Sequence, residues 1–306
     1  MKRVFFITSI MFFIVMIATT QVFCFSFRSF FSKKSYDDAS TKYPLVLAHG
    51  MAFTAENLGI IDYWWDIDNE LQKHGVKVYK TAVNAMDGTR AKAKAFKAQV
   101  MDILAETGAA KINVLGHSHG AIYVRDAISN LGLAPYVASY TSVGGPHQGS
   151  TLADLMVVNI PDGMKKGLTD AVNLLYKWIL KDNDPDSLQN ALDITTFYMK
   201  DVFNPNTPDM PGIYYQSYAA KAKWGCPNFI LTPLWLVMLT YEGPNDSMVS
   251  VKSAQWGDFH GTMKSAWYSP GVDHFNSADQ MFGITPGIDI PGFYVNIAQG
   301  LKKRGF

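Results

Sequence analysis

From Tyr43 onward, short apolar runs alternate with longer amphipathic stretches, the pattern of a parallel sheet whose strands are joined by covering helices. The first run, Tyr43-Pro44-Leu45-Val46-Leu47-Ala48, is apolar throughout, as a strand buried on both faces requires, and it ends at His49-Gly50-Met51. A helical stretch from about Ala55 to His74 follows and stops at Gly75, a residue suited to the left-handed position past a helix end. Val76 to Ala82 predicts a second strand. Arg90 to Glu106 predicts a second helix, with Ala91, Ala95, Ala98, Val100, Ile103 and Leu104 as its apolar side. Lys111 to Leu115 is the third strand and runs straight into Gly116-His117-Ser118-His119-Gly120, after which Ala121 to Ser129 resumes helix. A fourth strand, Tyr136 to Val143, ends at Gly144-Gly145-Pro146-His147-Gln148-Gly149.

The alternation breaks between Ser150 and about Pro211, where helical segments and a loop rich in Asp, Asn and Pro predict an insertion over the sheet edge, residues 150–211. Within it Leu168, Ala171, Val172, Leu175, Tyr176, Ile179 and Leu180 fall at helical spacing, largely opposite Lys165, Lys166, Asp170, Asn173 and Lys177. Gly212 to Ala220 and the apolar run near Phe229 to Tyr241 then return to the core.

The amino-terminal residues read as an address. Lys2 and Arg3 precede an apolar run from Val4 to Ala18, so residues 1–24 are expected to be a Sec-type signal peptide, cut after Cys24 or near Thr20, or else kept as an anchor. Residues 25–42 form a polar leader, and residues 43–306 are expected to be one domain of a protein that is secreted or periplasmic. Of the two cysteines, export would leave Cys226 alone, without an intrachain disulfide, and a lone buried-type cysteine reads as a small packed hydrophobe. With 27 basic against 26 acidic residues there is no field to attract nucleic acid, which points to a neutral or weakly charged substrate.

Ser118 sits two residues from a glycine on each side, after an apolar strand and before a helix. These are the steric and structural conditions of a nucleophile elbow, although a turn serine in another α/β protein shares the bare pattern. A serine hydroxyl needs a base, and the base needs an orienting acid, in the chain order Ser, Asp or Glu, His. Of seven histidines, His117 and His119 flank the serine, and His49 and His147 follow earlier strands. That leaves His260 and His274. His274 is preferred because its loop precedes the final helical segment. Asp246, in the turn-forming cluster Gly243-Pro244-Asn245-Asp246, is preferred as the acid over Asp258 and Asp273, the latter expected to be a solvated loop charge. Backbone N–H groups of Met51 and His119 are the expected oxyanion donors.

Tyr43-Pro44-Leu45-Val46-Leu47-Ala48-His49-Gly50, Gly116-His117-Ser118-His119-Gly120-Ala121, Gly243-Pro244-Asn245-Asp246 and His274 with Gln280-Met281-Phe282-Gly283 together resemble the bacterial true lipases of the Pseudomonas, Burkholderia and Proteus type. Gly145-Pro146-His147-Gln148-Gly149-Ser150 is a looser fifth match. The resemblance implies the α/β-hydrolase fold and triacylglycerol hydrolysis through Ser118, Asp246 and His274. It also implies a helical lid including Lys165 to Lys181, whose plain alternative is a core-packed helix. The family's structural calcium carries over badly: Gln280 and the Ile284 carbonyl match, but Asn276 stands in place of a carboxylate, and a second carboxylate is replaced near Cys226. Calcium is therefore expected to be absent or dispensable. An ester lipid at a lipid–water interface is the expected partner. A short-chain carboxylesterase, an acyltransferase, and a non-catalytic lipid-binding surface protein on the same fold are the alternatives.

Overall fold

The computed structural model describes residues 36–51, 62–84, 87–157, 185–280 and 283–306. The signal segment and the Lys165 to Lys181 helix lie outside them. Six strands form one sheet: β1 (Leu45–Ala48), β2 (Val78–Thr81), β3 (Ile112–His117), β4 (Val137–Val143), β5 (Tyr214–Ala219) and β6 (Asp258–Thr262). Their spatial order is β2-β1-β3-β4-β5-β6, and every neighbouring pair is parallel. All residues of β1, β3 and β4 are buried, which explains the unbroken apolar run of β1, while polar residues within β3 and β4 pair with each other, as Ser139 Oγ does in donating to Asn113 Oδ1 at 2.7 Å; edge strands β2 and β6 are only partly covered.

Seven α-helices are described: α1 (Ile67–Lys73), α2 (Thr89–Thr107), α3 (His119–Asn130), α4 (Thr151–Val157), α5 (Pro185–Leu192), α6 (Thr232–Glu242) and α7 (Ile290–Lys303). Among the described residues no helix is long and apolar enough to cross a membrane. The chain leaves β1 toward β2 on one side and β3 toward β4 on the other, so the strand order reverses between β1 and β3. A crevice opens at the carboxyl ends of strands at such a switch point. The turns after β1 and β3 are His49-Gly50-Met51 and the Ser118 turn, so the topology alone brings these two segments together.

Two packing expectations are corrected. In α2 the inward face carries Lys92, Ala93, Phe96, Val100, Ile103 and Leu104, while Ala91, Ala95 and Ala98 are exposed. A methyl group gains little by burial, so the Phe96 ring sets the rotation of the helix and Lys92 goes inside with it. The run from Phe229 to Tyr241 is mostly helix α6, and only part of it is core. Leu231, Leu234, Trp235 and Met238 pack with Leu152 and Met156 of α4, while Phe229, Leu236, Leu239 and Tyr241 are exposed. The helix closes one wall of a pocket.

Candidate active site

Ser118 follows β3 at φ 57°, ψ −132°, a conformation that costs a non-glycine residue on the order of 1–3 kcal/mol and holds the side chain above the strand end. The neighbouring glycines permit the turn. A Cβ at Gly120 would lie 2.2 Å from the Ala48 carbonyl oxygen, and one at Gly116 would lie 2.6 Å from the Ala121 nitrogen. Ser118 N–H donates to the Val143 carbonyl at 3.0 Å, tying the turn to β4.

His274 Nε2 lies 2.8 Å from Ser118 Oγ, and His274 Nδ1 lies 2.8 Å from Asp246 Oδ2. The carboxylate can only accept, so the ring proton sits on Nδ1 and Nε2 is free to take the serine proton. Asp246 is itself fixed: Oδ1 accepts from the N–H of Met248 at 3.0 Å and of Val249 at 2.7 Å, and its carbonyl accepts from His274 N–H at 2.7 Å. Both Asp246 and His274 are buried. Residues 118, 246 and 274 are thus brought together from the ends of three separate segments.

The two expected oxyanion donors flank the serine. His119 is the first residue of α3, whose N–H has no intrahelical acceptor. Gly50 N–H is already spent on the Tyr63 hydroxyl at 2.9 Å, which makes Met51 the next N–H along this loop, and Met51 lines the same pocket as Ser118 and His274.

Three residues passed over by sequence reasoning join these parts. Tyr63 accepts from Gly50 N–H and donates to His117 Nδ1 at 2.6 Å. His117 Nε2–H donates to Ser277 Oγ at 2.7 Å, and Ser277 donates to the His274 carbonyl at 2.7 Å. Burial, and then the charge of neighbouring His274, hold His117 well below the usual imidazole range, so it stays neutral and keeps one acceptor and one donor nitrogen. The network runs from the β1 turn to the histidine loop through the residue before the serine. Nothing in the local sequence of Tyr63 or Ser277 announced it, because these residues lie 54 and 160 positions from their shared partner His117 along the chain.

The pocket beside Ser118 is lined mainly by apolar side chains, including Leu152, Met156, Leu231, Leu234 and Phe275. Such a wall suits a hydrocarbon chain, with the hydrogen-bonding groups gathered at one end.

The remaining candidates have other roles. His260 lies on edge strand β6, where it bonds Asp258 of the same strand and Tyr214 of β5 and takes no part in the serine hydrogen bonds. His147 donates or accepts at Ser142 Oγ, 2.8 Å away, and stacks on Trp256, while His49 accepts from Val83 N–H. Asp273 corrects the expectation of a solvated loop charge. It is fully buried, and its carboxylate accepts from Asn228 N–H at 2.7 Å and Asn276 N–H at 3.0 Å. The side chain diverges from His274 as neighbours in a loop do, but it turns inward because two backbone N–H groups there need an acceptor.

Around this loop the positions that the resemblance matches to calcium ligands are hydrogen-bonded within the protein. Asn276 Nδ2 donates to the Ile284 carbonyl at 2.9 Å and to Thr285 Oγ1 at 2.7 Å, so an amide N–H faces the carbonyl that a hard cation would take. Asn276 Oδ1 is left buried without a hydrogen-bond partner, and Gln280 Nε2 donates to the Tyr63 carbonyl at 3.3 Å. Among the described residues no group of three or more His, Cys, Asp or Glu is placed to hold a metal. Asp273 bridges the 228 and 276 segments directly.

A parallel sheet wrapped in helices, with a glycine-flanked serine at its switch point, defines an α/β-hydrolase. A family model described as palmitoyl protein thioesterase matches residues 44–204, more than half of the chain. A triacylglycerol lipase of Vibrio cholerae serotype O1 is 32% identical over 241 residues, covering 71% of this chain and 75% of that protein. A triacylglycerol lipase of Burkholderia plantarii is 34% identical over 180 residues, 56% of this chain but only 49% of that protein. The mature form of the Bacillus licheniformis lipase BlEst2 superposes with a TM-score of 0.63 at 19% identity, covering 88% of this chain and 95% of that one. The chain belongs to this family of lipolytic α/β-hydrolases, and it is a carboxylic ester hydrolase.

Proposed function

We propose that the protein is an exported triacylglycerol lipase of the Pseudomonas, Burkholderia and Proteus type, with Ser118 as nucleophile, His274 as general base and acid, and Asp246 as the group that orients the imidazole. The observation that carries the reading is the unbroken chain of hydrogen bonds from Ser118 Oγ through His274 to Asp246, opening onto an apolar pocket. Ser118 Oγ attacks the ester carbonyl while His274 Nε2 takes its proton, and Asp246 stabilises the imidazolium. The carbonyl oxygen, now anionic, accepts from the N–H groups of Met51 and His119, each contributing on the order of 3 kcal/mol to the transition state. His274 returns the proton to the departing alcohol, and water then resolves the acyl-enzyme by the same steps in reverse order. Export through residues 1–24 puts the enzyme where extracellular lipid can reach it. The histidine loop needs no structural calcium in this reading, because Asp273 and Asn276 make the connections an ion would otherwise make.

Hydrolysis of esters of increasing acyl length, above and below their solubility limits, tests the substrate. We expect rates to rise with chain length and at the onset of an interface, and Ser118→Ala to lose at least about a thousandfold in kcat. Activity surviving in Ser118→Ala overturns the mechanism. Preference for soluble acetyl esters replaces the lipase with a short-chain esterase, and transfer of the acyl group to an added alcohol in preference to water makes it an acyltransferase.

A further inference from the structure

Lys92 is buried on the inner face of α2, and the reaction scheme has no use for it. A buried amine costs desolvation that an apolar side chain of the same length would avoid. Its surroundings show what it holds. Nζ lies 3.1 Å from His119 Nδ1, and since the lysine ammonium has only donors, the ring nitrogen accepts from it. The ring proton is then on Nε2, which donates to Thr89 Oγ1 at 2.7 Å. Thr89 N–H donates in turn to Asp193 Oδ2 at 2.7 Å, and Gln189 Nε2 donates to Asp193 Oδ1 at 2.6 Å, mooring the start of α2 to the turn after α5. The His119 imidazole is therefore clamped from two sides by α2.

Its ionisation agrees with this arrangement. Burial, and then the adjacent Lys92, hold His119 well below the usual imidazole range, so the ring is neutral and keeps one acceptor nitrogen to receive the Lys92 N–H. Burial pushes Lys92 down to about 7 against the opposing pull of Asp87 and Asp193. Charged or neutral, the amine keeps an N–H to give.

His119 is also the residue whose backbone N–H begins α3 beside Ser118. We propose that Lys92 is a positioning residue of the oxyanion hole: by clamping the His119 imidazole against Thr89, it fixes the direction in which the His119 N–H meets the developing oxyanion. This rests on the reading of Ser118 as nucleophile. A small rotation of that peptide plane weakens a bond made only in the transition state, so the loss falls on kcat and spares substrate binding.

Lys92→Met and Thr89→Val, each removing one side of the clamp, test it on the full-length protein. A soluble nitrophenyl ester measures kcat and KM, and an alkyl boronic acid that forms a tetrahedral adduct on the serine measures oxyanion binding. For Lys92→Met we expect a folded protein with a melting temperature lowered by a few degrees, because His119 Nδ1 loses its donor, KM within about twofold, and kcat and boronate affinity measured well below that temperature both lowered by roughly 10- to 100-fold, below the effect of deleting a donor outright. Thr89→Val should follow in the same direction by a smaller factor. Unchanged kcat and boronate affinity in a folded Lys92→Met overturn the proposal, as does a loss that only tracks melting temperature. If Lys92→Met does not fold, unchanged kcat and boronate affinity in Thr89→Val overturn it. Ser118→Ala run alongside separates the two levels: activity retained there sinks the nucleophile reading itself, whereas an inactive Ser118→Ala beside an unaffected Lys92→Met sinks only the role of Lys92.

Discussion

Replacing Gly120 with alanine tests how tightly the nucleophile turn is built. The new Cβ would stand 2.2 Å from the Ala48 carbonyl oxygen and 2.8 Å from that of His49, whereas ordinary contacts begin near 3.4 Å. Both obstacles are backbone atoms of the β1 end, so no rotamer change relieves them. The start of α3 must retreat from β1 by about 1 Å, carrying the His119 N–H away from the loop that holds Met51. Overpacking of this kind costs about 1–3 kcal/mol or more, and a misplacement of about 1 Å in a catalytic group costs on the order of a hundredfold in rate. Urea unfolding and kcat on a soluble ester measure the two effects. Gly108→Ala is the control: Gly108 has φ 65° but open space around its Cβ, far from the serine, so it should lose about 1 kcal/mol of stability with kcat unchanged. A Gly120→Ala protein with wild-type stability and kcat would refute the steric account of the elbow.

Two other predictions concern the histidine loop. Asp273→Ala orphans two buried N–H groups and should lower stability by roughly 2–6 kcal/mol. Burial pushes the Asp273 carboxyl up to about 7 from an unperturbed 3.8, so the folded protein binds this proton more tightly than the unfolded chain does. Its contribution is full below about pH 4 and is lost as pH rises through 7. Urea midpoints should therefore fall between pH 5 and pH 8 in wild type and change less in Asp273→Ala; equal slopes would exclude Asp273 as the group responsible. Chelation of divalent cations should leave melting temperature and ester hydrolysis unchanged, and a large drop in either would mean that an ion supports the loop after all.

The first four strands and the serine turn were legible because each rests on local constraints, whereas the spatial order of the strands and edge strand β6 were not. Continuous apolar runs mark buried parallel strands, and glycines two residues either side of Ser118 mark a turn that no side chain can enter. Asp273 was misjudged for a physical reason. A carboxylate in a loop is solvated by default, and only the fold reveals two unpaired N–H groups behind it. The alanines of α2 misled in a similar way, since they are apolar without being large enough to decide which face turns inward.

By itself, then, the sequence determined the alternating architecture and the glycine-flanked turn that carries Ser118, because backbone sterics and hydrophobic periodicity act over a few residues. Only the tertiary structure decided which distant polar groups meet. Tyr63, His117 and Ser277 link the oxyanion loop to the histidine loop, and Lys92 and Thr89 hold His119. Such bonds form between side chains whose spacing along the chain carries no period, and burial then makes each one costly to leave unmade.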